Sequence, residues 1–133
     1  MTYSIAATSA QTGLSIDTLR YYERIGLVEP PARDSGGRRT YSESDLVWLQ
    51  FLTRLRTTGM PIRMMREYAQ LRHRGDHTAA QRRQILVEHR TEVRDRIAEL
   101  QSCLDVLDYK ITNYELIENR LVRATEHAVE EAS

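Results

Sequence analysis

The sequence predicts a mainly α protein, with a winged helix-turn-helix head followed by a long dimerisation helix. Three features predict it. Two short segments, each opened by a serine and stopped by a glycine, lie on either side of a three-residue turn. A basic stretch broken by proline and glycine follows them. From residue 78 to the end there is neither glycine nor proline. The expected division is residues 1–76 for the head, including a second helical wing, and residues 77–133 for the long helix and tail.

The elements follow in order. Ser4 can cap a helix over residues 5–12 that Gly13 stops, and Ser15 a second over residues 16–25 that Gly26 stops. Gly13-Leu14-Ser15 between them has the length of a helix-turn-helix turn. Residues 28–41 contain Pro30, Pro31, Gly36 and Gly37, too many breakers for a helix, and read as two short strands around Asp34-Ser35-Gly36-Gly37. Ser42-Glu43-Ser44-Asp45 is a capping box ahead of Leu46, Leu49, Leu52 and Leu55, and Gly59 closes that helix. Pro61 falls at the first position of a fourth helix, ended by Gly75. Thr78-Ala79-Ala80-Gln81 is another capping box, opening a helix of about 50 residues, roughly 75 Å long. Along it Val93, Ile97, Leu100, Leu104, Leu107, Ile111 and Tyr114 recur at alternating steps of four and three, a heptad seam. The head is too small to cover this stripe and no breaker lets the helix fold back, so the expected partner is a second copy of the chain.

Composition narrows the classes. Lys plus Arg and Asp plus Glu are each 19, so the net charge is zero, yet residues 1–76 carry +3 and residues 77–133 carry −3. All the basic residues except Lys110 are arginine, the side chain suited to bidentate contact with phosphates and guanine edges. No apolar run approaches the ~18 residues of a membrane span, and the N-terminus lacks the basic start and apolar stretch of a signal peptide. A soluble cytoplasmic protein is therefore expected. Cys103 is the only cysteine, which excludes an intramolecular disulfide and any multi-thiolate metal site. His73, His77, His89 and His127 are scattered and read as surface residues, so neither metal nor other cofactor is expected. No nucleophile–base set, phosphate loop or carboxylate pair suggests an enzyme.

The chemistry sits in the second helix and the hairpin after it. At 100° per residue Ile16, Leu19, Tyr22 and Gly26 share one side, while Asp17, Arg20, Tyr21 and Arg24 share the other. The second helix of such a pair is the one that enters a major groove. Arg33, Arg38, Arg39 and Tyr41 surround the Gly-Gly turn, a basic ribbon placed to grip phosphates beside that helix. Double-stranded DNA is the expected partner. The competing possibility, a dimeric helical scaffold whose head binds a protein, would leave Arg20, Tyr21, Arg38 and Arg39 idle.

Thr18-Leu19-Arg20-Tyr21-Tyr22-Glu23-Arg24-Ile25-Gly26-Leu27, then Pro30, then Gly37-Arg38-Arg39-Thr40-Tyr41 resembles the signature of MerR-type transcriptional regulators. The likeness continues through Leu55-Arg56-Thr57-Thr58-Gly59-Met60-Pro61-Ile62 and into the heptad helix. It implies a bacterial homodimer joined by an antiparallel coiled coil, which distorts the spacer of promoter DNA for RNA polymerase in response to a stress signal or small effector. It further implies DNA contacts from Thr18, Arg20, Tyr21 and Tyr22, from Arg38, Arg39 and Tyr41 on the first wing, and from Arg63, near Pro61, on the second. Arg38 stands where family members commonly carry tyrosine. The stretch 57–76 is most similar to the small subgroup that answers aldehydes and other electrophiles. Members of that subgroup commonly place a reactive cysteine where this chain has Arg54, which leaves Cys103, beside Glu99 and Asp105, as the remaining thiol candidate. Only 19 residues follow Tyr114, so the large C-terminal effector domain of multidrug-binding relatives is not expected.

Overall fold

Serine oxygens and glycine backbones set the ends of the first helices, as their positions in the chain suggest. In the computed structural model, which describes residues 1–132, a short strand β1 (Thr2–Ser4) runs straight into α1 (Ile5–Thr12). Ser4 Oγ accepts from Ala7 N at 3.1 Å, satisfying a first-turn N–H that has no partner within the helix. Gly13 ends α1 in the left-handed conformation, φ 75°, which a side chain would strain. Ser15 caps α2 (Ile16–Arg24) in the same way, accepting from Thr18 N at 3.0 Å.

β2 (Ala32–Arg33) and β3 (Arg39–Ser42) follow, joined by a turn that Asp34 holds: its Oδ1 accepts from the N–H groups of Gly36 and Arg38, both at 2.9 Å. The three strands form one antiparallel sheet in the order β1-β3-β2, with Tyr3 opposite Tyr41 and Arg33 opposite Arg39. β1 was not expected; three residues are too few to show a period of two. α3 (Glu43–Thr57) begins with the full Ser42/Asp45 capping box, and α4 (Ile62–Arg74), a 3-10 turn at Asp76–Thr78 and α5 (Ala79–Ala132) complete the chain.

Two expected helix starts differ. Pro61 is the cap of α4 rather than its first helical residue: its ψ is 147°, and its carbonyl receives the N–H groups of both Met64 and Met65. Thr78 does not open a capping box. Its hydroxyl is buried and donates to the carbonyls of Leu71 at 2.6 Å and Gly75 at 2.8 Å, so the 3-10 turn leads into α5 instead.

Leu19, Leu27, Tyr41, Leu49, Leu52 and Met65, each almost free of solvent contact, form the centre of the head. Ile85 of α5 joins this core, so the compact unit runs past residue 76 to Thr91, and the remainder from Glu92 is a unit of its own. α5 is one unbroken helix of 54 residues, as the absence of breakers predicts. No described helix is long and apolar enough to cross a membrane.

Candidate nucleic-acid interface

α2 is amphipathic because its apolar residues recur at helical spacing. Leu19 and Tyr22 are buried while Asp17, Arg20, Tyr21 and Arg24 face solvent. The Arg24 guanidinium lies over the Tyr21 ring, 5.4 Å from its centroid, so a cation and an aromatic ring share this exposed face. Thr18 is half-buried at the start of the helix. Its hydroxyl accepts from Ser15 Oγ at 2.8 Å and keeps its own proton available to an acceptor outside.

The hairpin arginines have three different roles. Arg33 Nη1 donates to the Gly37 carbonyl at 2.7 Å and braces the turn. Arg39 Nε pairs with Glu23 Oε2 of α2 at 2.7 Å, with only 23% and 19% of the two side chains exposed, and so ties β3 to the helix. Arg38 is exposed; like Arg20, it has no carboxylate in ion-pair range among the described residues. Arg20, Glu23, Arg24, Pro30 and Arg39 meet around one shallow concavity. Glu23 was missed as a functional residue; nothing in one dimension marks a pair 16 residues apart across a hairpin.

Tyr22 and Tyr41, expected at the interface, lie in the core instead. At 4% and 1% exposure they have almost no surface to offer a duplex. Burial pushes both hydroxyls above the ordinary tyrosine pKa, so they stay neutral. The Tyr41 hydroxyl has neither water access nor a hydrogen-bond partner. Both rings fit the pattern of packing residues that hold α2 and β3 in place.

Arg63 stands on a separate element, exposed in the first turn of α4. Pro61 offers no side-chain cap there, so first-turn N–H groups and the Arg63 guanidinium together form a positive end.

On α5, Val93 is half-buried and the other seam residues are open to solvent, from 48% at Leu104 to 61% at Leu100 and Tyr114. Tyr109 is exposed too, and Leu116, Ile117, Leu121 and Val122 carry apolar surface beyond Tyr114. The seam pattern hid this because Glu118 occupies its next position. Cys103 is exposed and free. The histidines are less uniform than expected. His73 pairs with Glu29 and His127 with Glu131, but His89 is half-buried, its Nε2 2.7 Å from Thr58 Oγ1. Among the described residues no three His, Cys, Asp or Glu side chains gather as a metal site.

The MerR HTH family regulatory protein domain matches residues 3–71, and the MerR DNA-binding domain matches residues 46–109. An uncharacterized HTH-type transcriptional regulator of Haemophilus influenzae is 36% identical over 115 residues, covering 86% of this chain and 85% of its own. A MerR family transcriptional regulator from Listeria monocytogenes superposes with a TM-score of 0.83 at 38% identity, covering 96% of this chain and 95% of its own. HiNmlR, described as a MerR family regulator lacking the sensor domain and solved bound to promoter DNA, gives 0.80 at 36% identity over 86% of this chain and 91% of its own.

Proposed function

The chain belongs to the MerR family of DNA-binding transcriptional regulators, and from that premise we propose that it works as a homodimer that grips promoter DNA and distorts the spacer between promoter elements for RNA polymerase. One observation carries the proposal: the exposed Arg20–Tyr21–Arg24 face of α2, tied by Glu23–Arg39 to a hairpin whose tip presents Arg38. Arg20 is the residue for a guanine edge or phosphate in the major groove. Tyr21 and Thr18 offer hydroxyls to the backbone, Arg38 grips phosphate from the first wing, and Arg63 with the α4 N-terminus does so from the second. Arg39 acts mainly by holding the wing against α2.

Residues 1–76 are the DNA-binding part in this proposal and residues 77–133 the dimerisation part. Two chains meet along Val93, Ile97, Leu100, Leu104, Leu107, Ile111 and Tyr114, whose exposure gives the dimer its driving force. A dimer presents two heads to two half-sites. Bending or untwisting a short duplex costs on the order of 1–6 kcal/mol, which phosphate contacts from both heads offset. A stress signal or small effector then needs only a few kcal/mol of preference for one dimer geometry to switch transcription.

The test is titration of the purified protein against the duplex upstream of its own gene at two salt concentrations, with a scrambled duplex as control and sedimentation for stoichiometry. Tight, selective binding by a dimer that weakens steeply with salt is the expected result. Equal binding to both duplexes at every promoter tried would overturn it.

A further inference from the structure

The segment that leaves α2 and the last turn of α4 border a half-open cleft of about 390 Å³. That volume is within the range of small-molecule sites. Its wall is apolar where Leu27, Val28, Pro30, Trp48 and Ala69 line it. Trp48 is fixed in place: its Nε1 donates to the Leu27 carbonyl at 2.8 Å and its ring stacks with Tyr68, centroids 5.9 Å apart. Arg72 lies over the same indole, 4.2 Å from its centroid. A guanidinium held by its face leaves its N–H edge free to donate.

The charges at the cleft decide what fits. Both carboxylates that line it are engaged, Glu23 by Arg39 and Glu29 by His73. Arg72 and Arg74 have no carboxylate partner among the described residues. A cleft with an apolar floor and two guanidiniums that lack a carboxylate partner calls for an anion that carries an apolar body.

We propose that this cleft binds a small organic carboxylate of the arylacetate type, its apolar body over Pro30 and the narrow open edges of Leu27, Val28 and Ala69, and its carboxylate on the donor edge of Arg72. Arg74 adds positive potential beside it, and the low-dielectric wall strengthens the contact. One face of the cleft is the loop leaving the reading helix and another is α4, so occupancy biases the arrangement of two DNA-contacting elements. That last consequence rests on the function proposed above; binding itself does not, and it is measured without DNA.

Trp48 is the only tryptophan in the chain and lines this cleft, so its emission responds when the cleft is filled. The full chain is titrated with phenylacetate, with neutral 2-phenylacetamide and with cationic phenethylamine, and affinities are confirmed by equilibrium dialysis. Phenylacetate is expected to give a saturable change, with the amide and amine at least about tenfold weaker. Arg72→Gln is expected to weaken phenylacetate about tenfold or more, and Arg72→Lys to retain part of the affinity, both with an unchanged circular dichroism spectrum. Equal binding of acid and amide, absence of saturable binding, or an unaffected Arg72→Gln would overturn the proposal. So would a fall of about two in the salt slope of duplex binding for Arg72→Gln/Arg74→Gln without any phenylacetate site, since the two cations would then serve phosphates.

Discussion

Leucine is handled in opposite ways on the two sides of residue 91. In the head, Leu49 and Leu52 have no exposed surface, closed in by neighbours from the same chain. From Glu92 onward, Leu100, Leu104 and Leu107 sit on a helix of excellent local propensity with about half or more of their surface in water. At about 25 cal/mol per Å² of apolar area, the head gains from that burial at any concentration. The helix gains only when another surface covers it, and that gain follows mass action. One chain therefore contains a part whose stability is intrinsic and a part whose stability is conditional.

The strongest way to break that contrast is to charge the exposed stripe. Leu104→Glu/Leu107→Glu is expected to weaken dimerisation about a thousandfold or more, with operator affinity falling alongside, while the head melts as before. Sedimentation equilibrium and urea unfolding followed at Trp48 separate the two effects, and an unchanged dimer would refute the seam. Leu52→Ala probes the other side: a loss of about 2–5 kcal/mol in the urea curve, with self-association at saturating concentration unaltered.

Smaller effects sharpen the contrast within the head, between residues that face out and residues that hold. Arg20→Ala is expected to lower operator affinity about tenfold and the salt slope by about one, with stability unchanged. Arg39→Ala is expected to lower both affinity and stability, the latter by about 1 kcal/mol, because it releases a partly buried partner, Glu23. If the two variants behaved alike in urea, Arg39 would be a plain contact residue. Tyr41→Phe is the mildest: it removes a buried hydroxyl without a partner, so stability should hold or rise by up to about 1 kcal/mol and DNA affinity should not change. The burial-raised pKa values of Tyr22 and Tyr41 set a pH window. Both are protonated when folded, their contribution is complete below the ordinary tyrosine pKa of about 10, and it is lost as the pH climbs from there through the folded values. Urea midpoints across that range, compared with Tyr41→Phe, test the sign.

Features governed by nearest neighbours along the chain were legible: serine caps, glycine stops, the Asp34 turn and the breaker-free run that became α5. So was the division of α2 into a buried and an exposed face, because helical periodicity alone decides it. What escaped was decided across space. Tyr22 stood on the apolar side of α2 by spacing, and only the family resemblance offered it as a contact; Tyr41, read with the basic hairpin, was needed to fill the head. Glu23 gave no signal until the hairpin brought Arg39 to it, and Trp48 was only one more apolar residue on α3 until Arg72 covered it. Thr78 had the right residue type for a cap and was drawn instead to the carbonyls of the preceding helix. The heptad spacing was legible in the sequence, but the exposed apolar residues past Glu118 were not, since a strict heptad template stops at the first charge.

The Glu23–Arg39 tie has a consequence for exchanging one operator preference for another. Leu19 and Tyr22 anchor α2 from below, and Glu23 clamps it to the wing, so the helix keeps its seat whatever its outer letters spell. In the proposed reading of DNA, the exposed Asp17, Arg20, Tyr21 and Arg24 form the writable part of this head. A transplant that rewrote those letters and kept 19, 22, 23 and 39 would carry a new address on an unaltered mount. One that copied a whole foreign helix without its glutamate would deliver the letters on a loosened wing.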